Sequence, residues 1–157
     1  MITVDEARKA ILAAMPAFEA ETIAVQSAVE RVLRQTIFAE RDQPPFDRVM
    51  MDGIAIAHGD FAAGMRRFPI QSTQHAGDER QSLDAGNCIE IMTGASLPQG
   101  ADCIVPVERV SVTGGVATLE DGYLAEARQL IHPQGSDHQR GAALLASFLI
   151  LGAGLGA

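Results

Sequence analysis

Along the start of the chain, Val4, Ala7, Ile11, Leu12 and Met15 recur at the three- and four-residue spacing that gathers apolar side chains on one helix face. The run opens with Thr3-Val4-Asp5-Glu6, in which the Thr3 hydroxyl can accept from the Glu6 amide while the Glu6 carboxylate reaches back. Pro16 closes it, so the spacing predicts an amphipathic helix over 4–15. Residues 22–25 then have strand character, 27–33 helical spacing, and 35–39 an extended pattern. The texture changes at Asp42. Gln43-Pro44-Pro45-Phe46-Asp47 cannot be helical, because Pro44 lacks an amide hydrogen and restricts the residue before it. From there to Glu120, short apolar runs alternate with turns and predict strands over 53–57, 68–76, 88–93 and 103–107. Residues 110–119 alternate on both sides of Gly114-Gly115, the pattern of a β-hairpin, and 60–64 form one helical turn.

A helix-rich beginning, a β-rich middle and an apolar end predict an α+β protein with an inserted module. Residues 1–40 and 128–157 form one helical domain from both chain ends, and 41–127 form the β-rich insert. Among the 157 residues, 47% are hydrophobic and 20% charged, which fits a folded chain rather than a disordered one. Twelve Lys+Arg against twenty Asp+Glu leave a net charge of −8, which repels nucleic acid and anionic membranes at long range. With no Trp and one Tyr, a base-stacking platform is excluded too. Cys88 and Cys103 form neither a close metal pair nor a disulfide framework, and the start lacks a signal peptide's basic and apolar runs. A reduced, cytoplasmic setting follows. Residues 141–157 carry no charge and cluster Leu144, Leu145, Phe148, Leu149, Ile150 and Leu151. That stretch is too short and glycine-rich to span a membrane, which takes about 20 residues. It reads as a segment that is buried or that continues into a further domain, and its apolar surface favours a dimer.

Candidate chemistry is sparse. His58, His75, His132 and His138 are scattered, and the one local cluster, residues 132–138 with Asp137, reads as a polar turn before it reads as a metal site. No phosphate-binding loop, dinucleotide-binding loop, nucleophile elbow or zinc-protease helix occurs. Two segments say more. In residues 45–55, Asp52-Gly53 precedes alternating Ile54 and Ile56, presenting a carboxylate at a strand entrance or simply capping an Asx turn. In residues 89–105, a strand ends in Thr93-Gly94-Ala95, where a hydroxyl and free amides can receive an oxyanion, or where the strand merely turns. The residues alone leave both pairs of alternatives open.

Taken together, these segments resemble a known family. Pro45-Phe46-Asp47 followed by Met51-Asp52-Gly53, then Ile91-x-Thr93-Gly94-Ala95-x-x-Pro98-x-Gly100-Ala101-Asp102, resembles the molybdopterin molybdenumtransferases, MoeA and the homologous gephyrin E domain. Val4-x-x-Ala7, Val29-x-Arg31-Val32-Leu33 and Gly135-Ser136-Asp137 with Gly141 and Leu144-Leu145 are similar to that family's flanking blocks. The resemblance covers essentially the whole chain. It implies an elongated helical domain from both ends, a β-rich insert, and a following α/β pterin-binding domain that this chain does not include. It implies molybdate insertion into adenylylated molybdopterin with release of AMP, in a homodimer whose cleft lies between the β-rich domain of one subunit and the α/β domain of the other. Magnesium as the cation, and molybdopterin-synthesis enzymes as further partners, are implied as well. By the same resemblance Asp52 and Thr93 are the catalytic pair, Asp52 also holding the cation or a water and Thr93 the molybdate or phosphate oxygens. Gly53, Gly94 and Asp137 match substrate-binding positions.

The chain also departs from the pattern. Val49 stands where the family has Ser, Ile54 where it has Tyr or Phe, and Leu130-Ile131-His132-Pro133-Gln134-Gly135-Ser136-Asp137 where it has Asn-Ile-Arg-Arg-x-Gly-Glu-Asp. Guanidinium groups able to grip phosphate are thus missing at 132 and 133. Two readings follow: the N-terminal half of an enzyme, inactive alone and forming one wall of a shared cleft, or a non-catalytic dimerising scaffold paralogue. The enzyme reading requires Asp52 and Thr93 to converge on one rim of the β-rich module.

Overall fold

The structure, a computed structural model, describes residues 2–16, 18–147 and 150. In chain order its elements are α1 (Val4–Ala14), β1 (Ile37–Phe38), β2 (Arg48–Val49), β3 (Gly53–Ile56), α2 (His58–Ala62), β4 (Arg67–Gln74), β5 (Cys88–Ile91), β6 (Cys103–Pro106), β7 (Val110–Thr113), β8 (Val116–Leu119), β9 (Ile131–His132) and β10 (Ala143–Leu145). Short 3-10 turns lie at Val25–Ser27 and Val107–Arg109. The chain divides into two units, Met1–Ile37 with Ala143–Ala157, and Phe38–Ala142.

In the first unit the capping box forms as its sequence demands: Thr3 Oγ1 accepts from the Glu6 amide at 3.2 Å, and Glu6 accepts from the Thr3 amide at 2.7 Å. None of the residues of α1 is buried, and Val4, Ile11 and Leu12 stay 84%, 63% and 59% exposed. The predicted strand at 22–25 and helix at 27–33 are absent. A single 3-10 turn takes their place, and Glu30 then adopts φ 64°, a left-handed conformation that a helix cannot propagate through. The expected helical domain is therefore corrected: among the described residues of this unit, α1 is the one α-helix. The apolar run at 148, 149 and 151 lies outside the described residues.

The second unit is built on a six-stranded sheet in the order β6-β3-β5-β4-β8-β7, antiparallel except for the β4–β5 pair. All four residues of β3 are buried, the signature of a strand covered on both faces. Ile54 and Ile56 pack with Phe61, Phe68, Val105 and Leu119 on one side, while Ala55 packs with Val49, Ile91, Leu97 and Ile104 on the other. The β7–β8 hairpin turns through Gly114 and Gly115 at φ 57° and 76°, the paired positive angles a two-residue hairpin turn requires. Cys88 and Cys103 are free and fully buried; burial pushes their thiols up to about 12 and about 11, so they pack rather than react.

Residues 128–142 belong to this unit and not, as the expected boundary at 128 had it, to the chain ends. The reason is strand pairing: β9 pairs with β2, Arg48 opposite His132 and Val49 opposite Ile131, and buries Ile131 in the β-rich core. Where the unit begins and ends, the Ala39 amide donates to the Ala142 carbonyl and the Gly141 amide to the Ala39 carbonyl, both at 2.8 Å. Among the described residues no helix is long and apolar enough to cross a membrane.

Candidate active site

The β3–β5 register assembles the site. Gly53 lies opposite Ile91, so the residue entering β3 and the residues leaving β5 meet at the same edge of the ladder. Asp52 and Thr93, 41 residues apart in sequence, are thereby brought into contact. Asp52 Oδ1 accepts from the Thr93 amide and from Thr93 Oγ1, both at 2.6 Å, and both residues remain exposed. The carboxylate therefore serves no local Asx turn; it latches a remote segment. Gly53 itself is buried, and an ideal Cβ there would lie 1.9 Å from the Val105 carbonyl oxygen on β6. Gly94 is half-buried with φ 87° and starts the turn that carries Thr93 away from β5.

The latch also sets the protonation state. The Thr93 hydroxyl, and after it the Thr93 amide, hold the Asp52 carboxyl below its ordinary value of 3.8, against a small opposing effect of desolvation. Because folding lowers this pKa, the ionised latch contributes stability that is complete above 3.8 and is lost as pH falls through the lower folded value. Thr93→Val, which keeps the amide donor and removes the hydroxyl, is expected to move the Asp52 titration back toward 3.8 in a carboxyl-carbon NMR titration; an unmoved midpoint would contradict the latch.

One sequence expectation is corrected here. The amides after β5 are not free to receive an oxyanion: Thr93 donates to Asp52, Gly94 to the Val49 carbonyl at 2.9 Å, and Ala95 to the Met92 carbonyl at 3.1 Å. An ionised carboxylate only accepts, so the Thr93 hydroxyl hydrogen is committed as well. To donate to an oxyanion, that hydroxyl must first leave Asp52.

A residue that sequence reasoning missed holds the turn. Gln74, at the end of β4, is fully buried; its Nε2 donates to the Ser96 carbonyl at 2.7 Å and to Ser96 Oγ at 3.2 Å, and its Oε1 accepts from the Gln81 amide at 3.0 Å. Nothing in the local pattern distinguishes this glutamine from an ordinary solvent-facing one.

Asp137 does not join Asp52. It accepts from His132 Nε2 at 2.9 Å, and its own amide donates to the Gln43 carbonyl. Around it, Asp47 accepts from the Gln134 amide and faces Arg128, while Asp42 accepts from Gln134 Nε2 and the Arg140 amide. Residues 132–138 thus form a polar turn stitched to 42–47. Between the two clusters lies an open depression of about 260 Å³ lined by Arg48, Val49, Met50, Thr93, Gly94 and His132. Thr93 and His132 share this depression; Asp52 and Asp137 stand behind them as their hydrogen-bond partners.

Metal chemistry finds little here. Among the described residues no three His, Cys, Asp or Glu side chains are grouped to hold an ion. Asp52 offers Oδ2 alone, whereas magnesium takes about six oxygens, so these residues do not make a magnesium site by themselves.

The mixed sheet carries its Asp–Thr latch at the ends of the interior strands β3 and β5, and likeness to known proteins gives the chain's family. Residues 2–155 match the family described as the MoeA N-terminal region (domain I and II). The molybdopterin molybdenumtransferase of Synechocystis sp. is 39% identical over 148 residues, covering 94% of this chain and 38% of the relative; that of Bacillus subtilis is 30% identical over 151 residues, covering 92% and 35%. The solved molybdopterin biosynthesis MoeA protein of Pyrococcus horikoshii superposes with a TM-score of 0.80 at 26% identity, over 96% of this chain and 39% of that one. The chain belongs to the MoeA family of molybdopterin molybdenumtransferases, in molybdenum cofactor biosynthesis. It corresponds to the family's N-terminal region, and it spans a little over a third of the length of the curated relatives it matches.

Proposed function

We propose that this chain is the N-terminal part of a molybdenum transferase that inserts molybdate into adenylylated molybdopterin and releases AMP in the cytoplasm. The observation that carries the reading is the Asp52–Thr93 latch, an exposed carboxylate kept ionised by two short donors from a segment 41 residues away. With Oδ1 occupied, Oδ2 is the atom left to accept from a water or a substrate hydroxyl, or to serve as one ligand of a magnesium ion. The remaining ligands of such an ion come from groups outside this chain. The rest of the cleft, in this reading, is built by the following domains and by a second copy. The exposed Val4, Ile11 and Leu12 of α1 support a role for the first unit in pairing.

A chimera tests this. The chain is grafted in place of the matching region of the Synechocystis relative and assayed for molybdenum insertion, with light scattering for its oligomeric state. Insertion by a dimeric chimera is the expected result. A folded dimer with no insertion sinks the enzyme reading and favours the scaffold reading, to which the missing arginines at 132 and 133 point. A monomer removes the shared cleft.

A further inference from the structure

We infer that the depression between β2, β9 and the turn after β5 is a receptor for a tetrahedral oxyanion, anchored by Arg48. Three strands of backbone form its floor: the Val49 amide donates to the Ala95 carbonyl and the Met50 amide to the Leu130 carbonyl, so Val49 runs between the turn and β9. Val49 is 1% exposed and points into the core; by strand alternation Arg48 and Met50 point the other way, into the depression. His132 lies directly opposite Arg48 in the β2–β9 register, so the two side chains share one face as nearest cross-strand neighbours.

Charge makes this arrangement informative. Arg31, Arg109 and Arg128 each face a carboxylate, and Arg66 and Arg80 donate to backbone carbonyls. The Arg48 side chain has neither kind of partner among the described residues; Arg8, Arg41, Arg67 and Arg140 also have none, but they are exposed, whereas Arg48 is half-buried. Across from it stands an imidazole already tied by Nε2 to Asp137, with Nδ1 as its remaining polar atom. An anion in the depression would give the Arg48 guanidinium the counter-charge it lacks. The turn amides and the Thr93 hydroxyl hydrogen are committed elsewhere, so recognition falls to the guanidinium fork of Arg48.

About 260 Å³ holds one tetrahedral oxyanion with water, and the open mouth admits the phosphate end of a larger molecule. The assignment rests on the proposed function only for the source of that anion, free molybdate or the phosphate of a nucleotide-bearing substrate. The chain as it stands is titrated at fixed ionic strength with sodium molybdate, sodium phosphate and AMP, and followed by amide NMR. Saturable shifts at Gly94 and His132 are expected, at least tenfold weaker in Arg48→Ala and partly restored in Arg48→Lys. A preference for molybdate names the free ion; AMP binding as tightly as phosphate names the nucleotide-bearing source. No saturable shift with any of the three, or an unchanged affinity in an Arg48→Ala variant whose remaining spectrum shows it folded, overturns the receptor. This readout needs no turnover. Absence of binding with insertion intact in the chimera removes the receptor and leaves the function standing, and binding without insertion does the reverse.

Discussion

In the chimera, Asp52→Ala is expected to lower molybdenum insertion by about 100-fold or more, the range lost with a positioned acid–base group. Its melting temperature should fall only slightly, by the small contribution of an exposed latch. Asp52 is exposed, and the Thr93 amide and hydroxyl that it leaves behind can turn to water. Asp52→Asn sharpens the test, since its amide oxygen still accepts from Thr93 while the charge is gone. If charge at Oδ2 matters, Asp52→Asn loses insertion with the latch in place. Retained insertion in both variants would show the carboxylate to be a fastener and nothing more.

Gly53→Ala is expected to cost at least about 3 kcal/mol of stability, at or beyond the usual upper range for overpacking. The added Cβ would meet the Val105 oxygen at 1.9 Å, the Val105 carbonyl carbon at 2.9 Å and Pro106 Cα at 3.0 Å, all backbone atoms of the paired strand β6. No side chain can rotate away, so β3 and β6 must separate. A fall in melting temperature of more than about 10 °C should follow. Gly59→Ala is the control, because a Cβ there meets nothing within 4 Å. Equal melting temperatures for the two variants would refute the steric account. The resemblance assigns Gly53 to substrate binding, whereas its surroundings give a sufficient reason for glycine within the sheet.

Strands β3 to β8 and α1 were legible because their signals are local, whereas β2, β9 and β10 were not read and the strand expected at 22–25 is absent. Thr3 and Glu6 are three residues apart, and Gly114-Gly115 dictates its own turn. The helix expected over 27–33 failed for a related reason: a segment of two turns gains too few bonds to offset nucleation without a packed face. Ala28, Val29 and Val32 find no such face, and Val29 and Val32 remain exposed. The boundary at 128 misled because the pairing of Ile131 with Val49 is settled across some eighty residues, which no window along the chain can see. Asp52 and Thr93 were picked out by resemblance, and only the β3–β5 register says that they touch. The register likewise disclosed what the motif suggested wrongly, that the amides near Thr93 are already engaged.

The hydrogen bonds joining Ala39 to Gly141 and Ala142 have an evolutionary corollary. A module that is entered and left through a single doorway can be lengthened, trimmed or exchanged without re-routing the polypeptide on either side. Catalytic novelty in such a lineage can accumulate inside the cassette while the flanking segments stay under a separate selection.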